Sequence, residues 1–216
     1  MAVAAESGNI AGWPLFADGV PAIHLAVAPM EVTVEAPTPL TGNNLQLLLA
    51  LSGSNGGLGE MKNKAMQEFA QHLEQQVQQR FGEFFVDEKV KLVTQGAPLS
   101  LHTKFTVVIR QRMNDIFNGA DYDLEKGTMN AYGNFRYQLL GFDRTGKEVP
   151  LKQGRVDIAD LRLKADYRTR APKDGGVVED TTRQATERLL EEIAEEVLDK
   201  VEDDLEAGSL LKLARL

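Results

Sequence analysis

The sequence predicts an α+β domain: a largely antiparallel sheet with two long amphipathic helices packed on one face. Three observations predict it. Apolar residues recur at three- and four-residue spacing over two long stretches, Met61 to Phe81 and Glu179 to Glu206. Between them, apolar and polar residues alternate, the mark of strands with one buried face. The order strand, helix, several antiparallel strands, helix leaves each helix one apolar stripe, and a two-layer packing buries each stripe once. With 216 residues and 43% hydrophobic content the chain can build a core, and one domain is favoured over two. The expected division is an extended N-terminal arm over 1–21, a single α+β domain over 22–208 and a short tail over 209–216.

Residues 1–21 carry three glycines, two prolines and the one tryptophan, Trp13, followed by Leu15 and Phe16, with no clear period. Trp13 and Phe16 either pack on their own domain or anchor a partner, since tryptophan is favoured at interface hot spots. Ala22 to Val34 is β-branched and apolar enough for a strand, with Pro29 confining it to an edge or a bulge. Leu45 to Leu51 fits a buried strand or a helical turn equally well. In the first helix Met61, Ala65, Met66, Phe69, Ala70, Leu73, Val77 and Phe81 share a stripe, and Gly82 suits its C-terminal cap.

Phe84 to Val93 and Leu101 to Ile109 read as strands, the second with Leu101, Thr103, Phe105, Val107 and Ile109 on one face. Asn114 to Gly127 reads as a polar connection. Met129 to Leu139 alternates most clearly, and Asp143-Arg-Thr-Gly146 is a type I turn that should return the chain antiparallel. Val156, Ile158, Leu161 and Leu163 fit that return strand, with a slip near Asp160 that a bulge would allow. Arg168 to Val178 reads as a basic, glycine-containing loop. The last helix carries Ala185, Leu189, Leu190, Ile193, Ala194, Val197, Leu198, Val201 and Leu205 on one stripe, and Gly208 should end it.

Composition excludes several chemistries. There is no cysteine, so no disulfide scaffold, thiol catalyst or iron–sulfur cluster can form. The 24 Lys and Arg against 32 Asp and Glu leave a formal net charge of −8, which argues against a nucleic-acid partner. The first residues lack a basic region followed by an apolar run, so no signal peptide is expected as written, and no apolar run reaches the ~20 residues of a spanning helix. Between Glu179 and Glu206, twelve carboxylates face three bases, so that helix carries a net charge of −9 and the rest of the chain +1.

The candidate sites are few. Gly53-Ser-Asn-Gly-Gly-Leu-Gly59 precedes a helix, but Glu60 and Met61 stand where a phosphate loop needs Lys and Ser or Thr, so a plain connection is expected. His24, His72 and His102 show no metal-ligand spacing, and no serine sits in a nucleophile elbow. Asp121, Asp123 and Glu125 alternate like a calcium loop but lack its central glycine and terminal glutamate. Arg162, Lys164, Arg168, Arg170 and Lys173, with Tyr167 interleaved, either present a cationic face or lie on the solvent side of a strand. No catalytic residue, metal or cofactor is therefore expected. The candidate partner-binding residues are Trp13, Leu15 and Phe16 on the arm and Glu191, Glu195 and Asp199 on the acidic helix, whose outer face is either simply solvated or docks a basic partner.

The segment Ile23-His-Leu-Ala-Val-Ala-Pro-Met-Glu-Val resembles the first strand of small Gram-negative envelope lipoproteins, which often begin hydrophobic-Ala-Val-x-Pro-Phe. The aromatic stretch Phe81-Gly-Glu-Phe-Phe-Val86, the hairpin Phe135-Arg-Tyr-Gln-Leu-Leu-Gly-Phe-Asp143-Arg-Thr-Gly146-Lys and the long last helix continue the likeness over residues 22–205. Met30 stands where those proteins carry an aromatic residue, and the lipidated cysteine is missing. The resemblance, to the curli-secretion, penicillin-binding-protein activator and YajG-type lipoproteins, implies a periplasmic or outer-membrane-attached protein. Such domains are non-enzymatic and scaffold or tether a protein partner, with attachment through an N-terminal lipid absent from this chain. No functional residue transfers from it. The alternatives are a cytosolic or phage-type structural subunit assembled through its N-terminal arm and, last, an enzyme holding a phosphate ligand at Gly53–Gly59.

Overall fold

The computed structural model describes residues 22–37 and 58–215. Trp13, Leu15, Phe16, the Leu45–Leu51 segment and Gly53 to Gly57 lie outside them. The chain runs through strands β1 (Ile23–Val27) and β2 (Glu31–Glu35), helix α1 (Leu58–Asp87) and strands β3 (Val90–Val93), β4 (Leu99–Asn118), β5 (Tyr122–Phe142) and β6 (Glu148–Asp157). A 3-10 turn (Ile158–Leu161), β7 (Lys164–Pro172), β8 (Glu179–Asp180), α2 (Thr182–Leu205) and α3 (Ala207–Leu213) complete it. The fold is α+β, as the sequence predicts: one eight-stranded sheet in the order β3-β1-β4-β5-β7-β8, with β2 also on β4 and β6 also on β5.

A single long hairpin organises the sheet. β4 and β5 pair antiparallel from Ser100–Leu140 out to Asn118–Asp123, with a bulge between Met113 and Asp115. β6 takes the Asn134–Phe142 half of β5 and β7 the Tyr122–Asn130 half. β5 turns from one partner to the other at Gly133, whose φ of +117° few other residues adopt; a Cβ there would lie 2.0 Å from the Thr106 carbonyl oxygen.

The alternation puts Leu101, Phe105, Val107 and Ile109 of β4 and Met129, Phe135, Tyr137 and Leu139 of β5 on one buried face. Phe69, Leu73, Val77, Phe81 and Phe85 of α1 and the Leu189–Leu205 stripe of α2 cover it. Phe135 sits at the centre, its ring 4.5 Å from Phe105, 6.1 Å from Phe81 and 6.0 Å from Tyr137. Buried Tyr137 lies over Gly154 on β6 and buried Tyr167 over Gly127 on β5, where a Cβ would in each case lie 2.3 Å from the ring.

Several boundaries differ from those the sequence predicts. Ala22–Val34 forms two strands separated at Ala28–Met30, both parallel to β4, and the Ala28 N–H reaches the Leu101 carbonyl at 3.0 Å. Gly82 does not cap α1: Phe85 extends the Val77–Phe81 stripe by one more turn and is fully buried. Phe84 and Val86 are accordingly helical, not strand, and the helix stops at Lys89, which takes the left-handed conformation at φ 57°. The Asn114–Gly127 connection is instead the outer half of the β4–β5 hairpin. β6 ends in the 3-10 turn, capped by the Asp157 carboxylate accepting from Ala159 N–H at 3.0 Å. β7 continues through Arg168 and Arg170 to Pro172, so the expected loop shrinks to Lys173–Val178. Finally, the last helix breaks at Glu206, with ψ at 151°, rather than at Gly208; the expected tail is α3, anchored by the fully buried Leu210.

Candidate functional site

The helices cover one face of the sheet, so the even-numbered side chains of β4 up to Arg112 and their neighbours face outward. Antiparallel register then fixes which of them stand together. Glu31 of β2 pairs with Lys104 of β4, Lys104 with Arg136 of β5, and Arg136 with Arg155 of β6. Three cations therefore occupy adjacent positions in one row, each about 4.8 Å from the next strand's. The next row holds His102, Gln138 and Gln153. These rows line a shallow depression of about 660 Å³.

Like charges set directly opposite one another weaken a sheet, and the acids nearby offset this row only at its ends. Lys104 Nζ meets Glu31 Oε2 at 2.6 Å, and Arg155 stands 3.9 Å from Asp157. The Lys104 ammonium, by its hydrogen bond first and its charge second, holds the Glu31 carboxyl below its usual pKa. Among the described residues, no carboxylate pairs with Arg136 in the middle. Its guanidinium is exposed, with five donors and no acceptor.

A second feature is the outer half of the β4–β5–β7 ribbon, beyond the cover of the helices. The bulge at Asn114 lets Met113 and Ile116 share one face while Phe117 turns to the other, beside Tyr122 at 5.8 Å. Arg170 lies 4.4 Å above the Tyr122 ring. Met113, Ile116 and Phe117 are 44%, 49% and 51% exposed, a concentration of apolar surface in one short stretch.

The candidate residues that the sequence singles out are spread over both layers. Glu191 contacts His72 Nε2 of α1 at 3.4 Å and Glu195 meets Arg80 of α1 at 3.0 Å, so both sit at the seam between the helices, while Asp199 is exposed. His24, His72 and His102 lie on β1, α1 and β4; Ser100 Oγ approaches His102 Nε2 at 3.3 Å. Asp121 lies in the hairpin turn. Asp123 pairs with Lys173 at 3.3 Å, and Glu125 accepts a 2.7 Å hydrogen bond from the Tyr167 hydroxyl. Lys164, Arg168 and Arg170 lie on the outward face of β7, opposite Asn130, Lys126 and Leu124. Gly59 is already inside α1. Among the described residues no three histidine or acidic side chains converge as a metal site, and no helix is long and apolar enough to cross a membrane.

One hydroxyl and its carboxylate partner are perturbed together. Burial, then the Asp204 carboxylate bonded to it, raises the Tyr137 phenol above its ordinary value. Asp204 also receives Lys152; burial pushes its carboxyl up, but the Lys152 and Tyr137 hydrogen bonds outweigh this and hold it below normal. The trio ties β5 and β6 to α2, a structural latch.

No family model and no curated protein matches the chain. Among solved structures, a Helicobacter pylori protein described as a homolog of the neuraminyllactose-binding hemagglutinin superposes over 94% of this chain and 97% of its own, at 11% identity and a TM-score of 0.50. A minor lipoprotein of Acinetobacter baumannii matches 85% of this chain and 94% of its own at 12% identity, with a TM-score of 0.29. Lipoprotein GNA1162 of Neisseria meningitidis matches 84% and 99% at 12% identity, with a TM-score of 0.17. The first of these scores stands for a shared α+β fold.

Proposed function

We propose that this protein is a non-catalytic domain of the bacterial envelope, carried as a lipoprotein, that docks a protein partner at the outer end of its β-ribbon. The observation that carries the docking is the exposure of Met113, Ile116 and Phe117 on a segment that extends past the helices. These residues lie outside the core cluster and keep about half their surface in water, area that a partner would bury favourably. Tyr122, beside Phe117, and Arg170 above it are of the kinds enriched at interface hot spots. The envelope setting rests on the resemblance of the first strand and the closing helix to envelope lipoproteins.

A photo-crosslinking residue at Phe117 in cells of the source organism should trap one defined partner, whereas the same residue at Phe142, 54% exposed at the opposite end of β5, should not. The double substitution Ile116→Asp and Phe117→Asp should abolish a complex with that partner while leaving the circular dichroism spectrum unchanged. A tip that crosslinks no more than Phe142 overturns the docking site. Recovery of the native gene product in the soluble cytoplasmic fraction, without incorporated palmitate, overturns the envelope assignment.

A further inference from the structure

The cationic row at the floor of the outward sheet face belongs neither to the core nor to the ribbon tip. We propose that it is a binding site for a small polyhydroxylated oxyanion, a saccharide carrying a carboxylate or a phosphate. The register places Lys104, Arg136 and Arg155 side by side on three adjacent strands, an arrangement that costs the free protein electrostatic repulsion. Isolated surface charges tend to alternate in sign across strands; here the two acids, Glu31 and Asp157, flank the row instead of dividing it. Arg136 is left with a planar fork of donors matched to the two oxygens of a carboxylate or phosphate.

Beside that fork the chemistry changes from charge to neutral hydrogen bonding. His102, Gln138 and Gln153 form the next row along the same strands, one two-residue step away, or about 7 Å. Amides both donate and accept, which suits hydroxyl groups, and none of these side chains supplies an apolar wall. A ligand lying in this depression would thus place its anion on Arg136, between the two flanking cations, and its hydroxyls on the amide row. A bare anion uses only the first row, and a neutral sugar only the second. The ligand that uses both is an acidic sugar. Its attraction is electrostatic in part and weakens as salt rises.

Isothermal titration of the full chain with glucuronate and with glucose 6-phosphate tests this, with glucose and inorganic phosphate as single-row controls. The expected result is millimolar or tighter binding of at least one acidic sugar, about tenfold or more weakened by Arg136→Gln. Gln138→Ala should weaken the acidic sugar but leave inorganic phosphate unchanged, and Arg188→Gln, on the outer surface of α2, should change neither. Preference between glucuronate and glucose 6-phosphate distinguishes a carboxylate from a phosphate ligand. Because Arg136 is exposed and faces two cations, Arg136→Gln should melt no lower than the parent chain, so loss of binding cannot be assigned to misfolding. The proposal fails if neither acidic sugar binds at millimolar concentration, or if binding survives Arg136→Gln undiminished. Equal affinity for glucuronate and glucose overturns the role of the cations, and binding confined to inorganic phosphate overturns the saccharide. None of these outcomes depends on the ribbon tip, so the two proposals stand or fall separately.

Discussion

Replacing Phe135 with alanine tests whether the sheet and the two helices form one core. The ring is fully buried at the meeting point of Phe81 from α1, Phe105 from β4 and Tyr137 of its own strand, at 4.5 to 6.1 Å between centroids. A buried Phe→Ala change costs about 3–5 kcal/mol in lost transfer energy and residual cavity, and the aromatic contacts place this site at the upper end of that range. A domain holds only about 5–15 kcal/mol in total, so a third or more of the stability would go. For a chain of this length, about 2–4 °C is lost per kcal/mol, so a cost of about 5 kcal/mol gives a fall in Tm of about 10–20 °C. Urea unfolding followed by circular dichroism reads the change, and the midpoint should move with an unchanged slope. Phe142→Ala is the internal control: it lies on the same strand but is 54% exposed, and should change stability by no more than about 0.5 kcal/mol. If the two substitutions cost the same, or Phe135→Ala costs under about 1 kcal/mol, the single-core packing described above is wrong.

Gly154→Ala should destabilise the protein by about 1–3 kcal/mol, because its methyl would meet the Tyr137 ring; pairing it with Tyr137→Leu should recover part of that loss in a double-mutant cycle. Alkaline pH should weaken the fold. Burial first, with the Glu125 carboxylate on its hydroxyl, pushes the Tyr167 phenol up to about 12, against about 10 unfolded. A raised folded pKa is stabilisation that is complete below pH ~10 and lost as pH rises toward ~12, so the urea midpoint should fall over that window and fall less in Tyr167→Phe. Phenolate absorbance from all four tyrosines near their ordinary pKa in the folded state would contradict it. The ion pairs Arg80–Glu195 and Arg183–Glu68 between the helices are solvent-exposed, so Glu195→Gln should cost less than about 1 kcal/mol, and less still in high salt; a larger loss would give that seam a structural weight its exposure does not support.

Where one face of an element is buried against the helices, the sequence carries its imprint. Met129 to Leu139 alternates because Met129, Ala131, Phe135, Tyr137 and Leu139 are all buried in the core that the helices cover. Past Ile109 and before Met129 the same two strands continue, but the helices no longer cover them; both faces are largely open to water, selection for alternation lapses, and Asn114 to Gly127 reads as a loop. Glycine misled at the helix ends for a related reason. Gly82 and Gly208 are each the residue type that ends a helix, yet Phe85 and Leu210 beyond them each find a place in the core, and that burial outweighs a local cost of about 1 kcal/mol per glycine. The real stops, Lys89 in a left-handed conformation and Glu206 extended, carry no residue-type signal. The cationic row was half legible. Lys104 and Arg136 fall on the polar faces of their strands by alternation alone, but their alignment with Arg155 follows from register, which includes a shift between Leu139 and Leu140 that no local pattern announces.

The net charge of −8 conceals how the charge is distributed. Most of it belongs to α2, and the structure uses part of that charge internally, setting Glu191 against His72, Glu195 against Arg80 and Asp204 against Lys152. Of the remaining carboxylates, Glu187 and Glu192 pair with Arg183 and Arg188 along the helix and Asp199 is exposed. Between them and the Lys104–Arg136–Arg155 row stand the helix itself, about 10–12 Å across, and the apolar layer centred on Phe135. That distance exceeds the ~8 Å over which exposed charges are felt at physiological salt. The acidic helix therefore does not neutralise the opposite face: an approaching anion meets a locally positive floor on an acidic protein, and a cation meets the reverse. The two layers that bury one core thus expose surfaces of opposite character, and a chain whose bulk charge would repel an acidic ligand retains one face able to hold it.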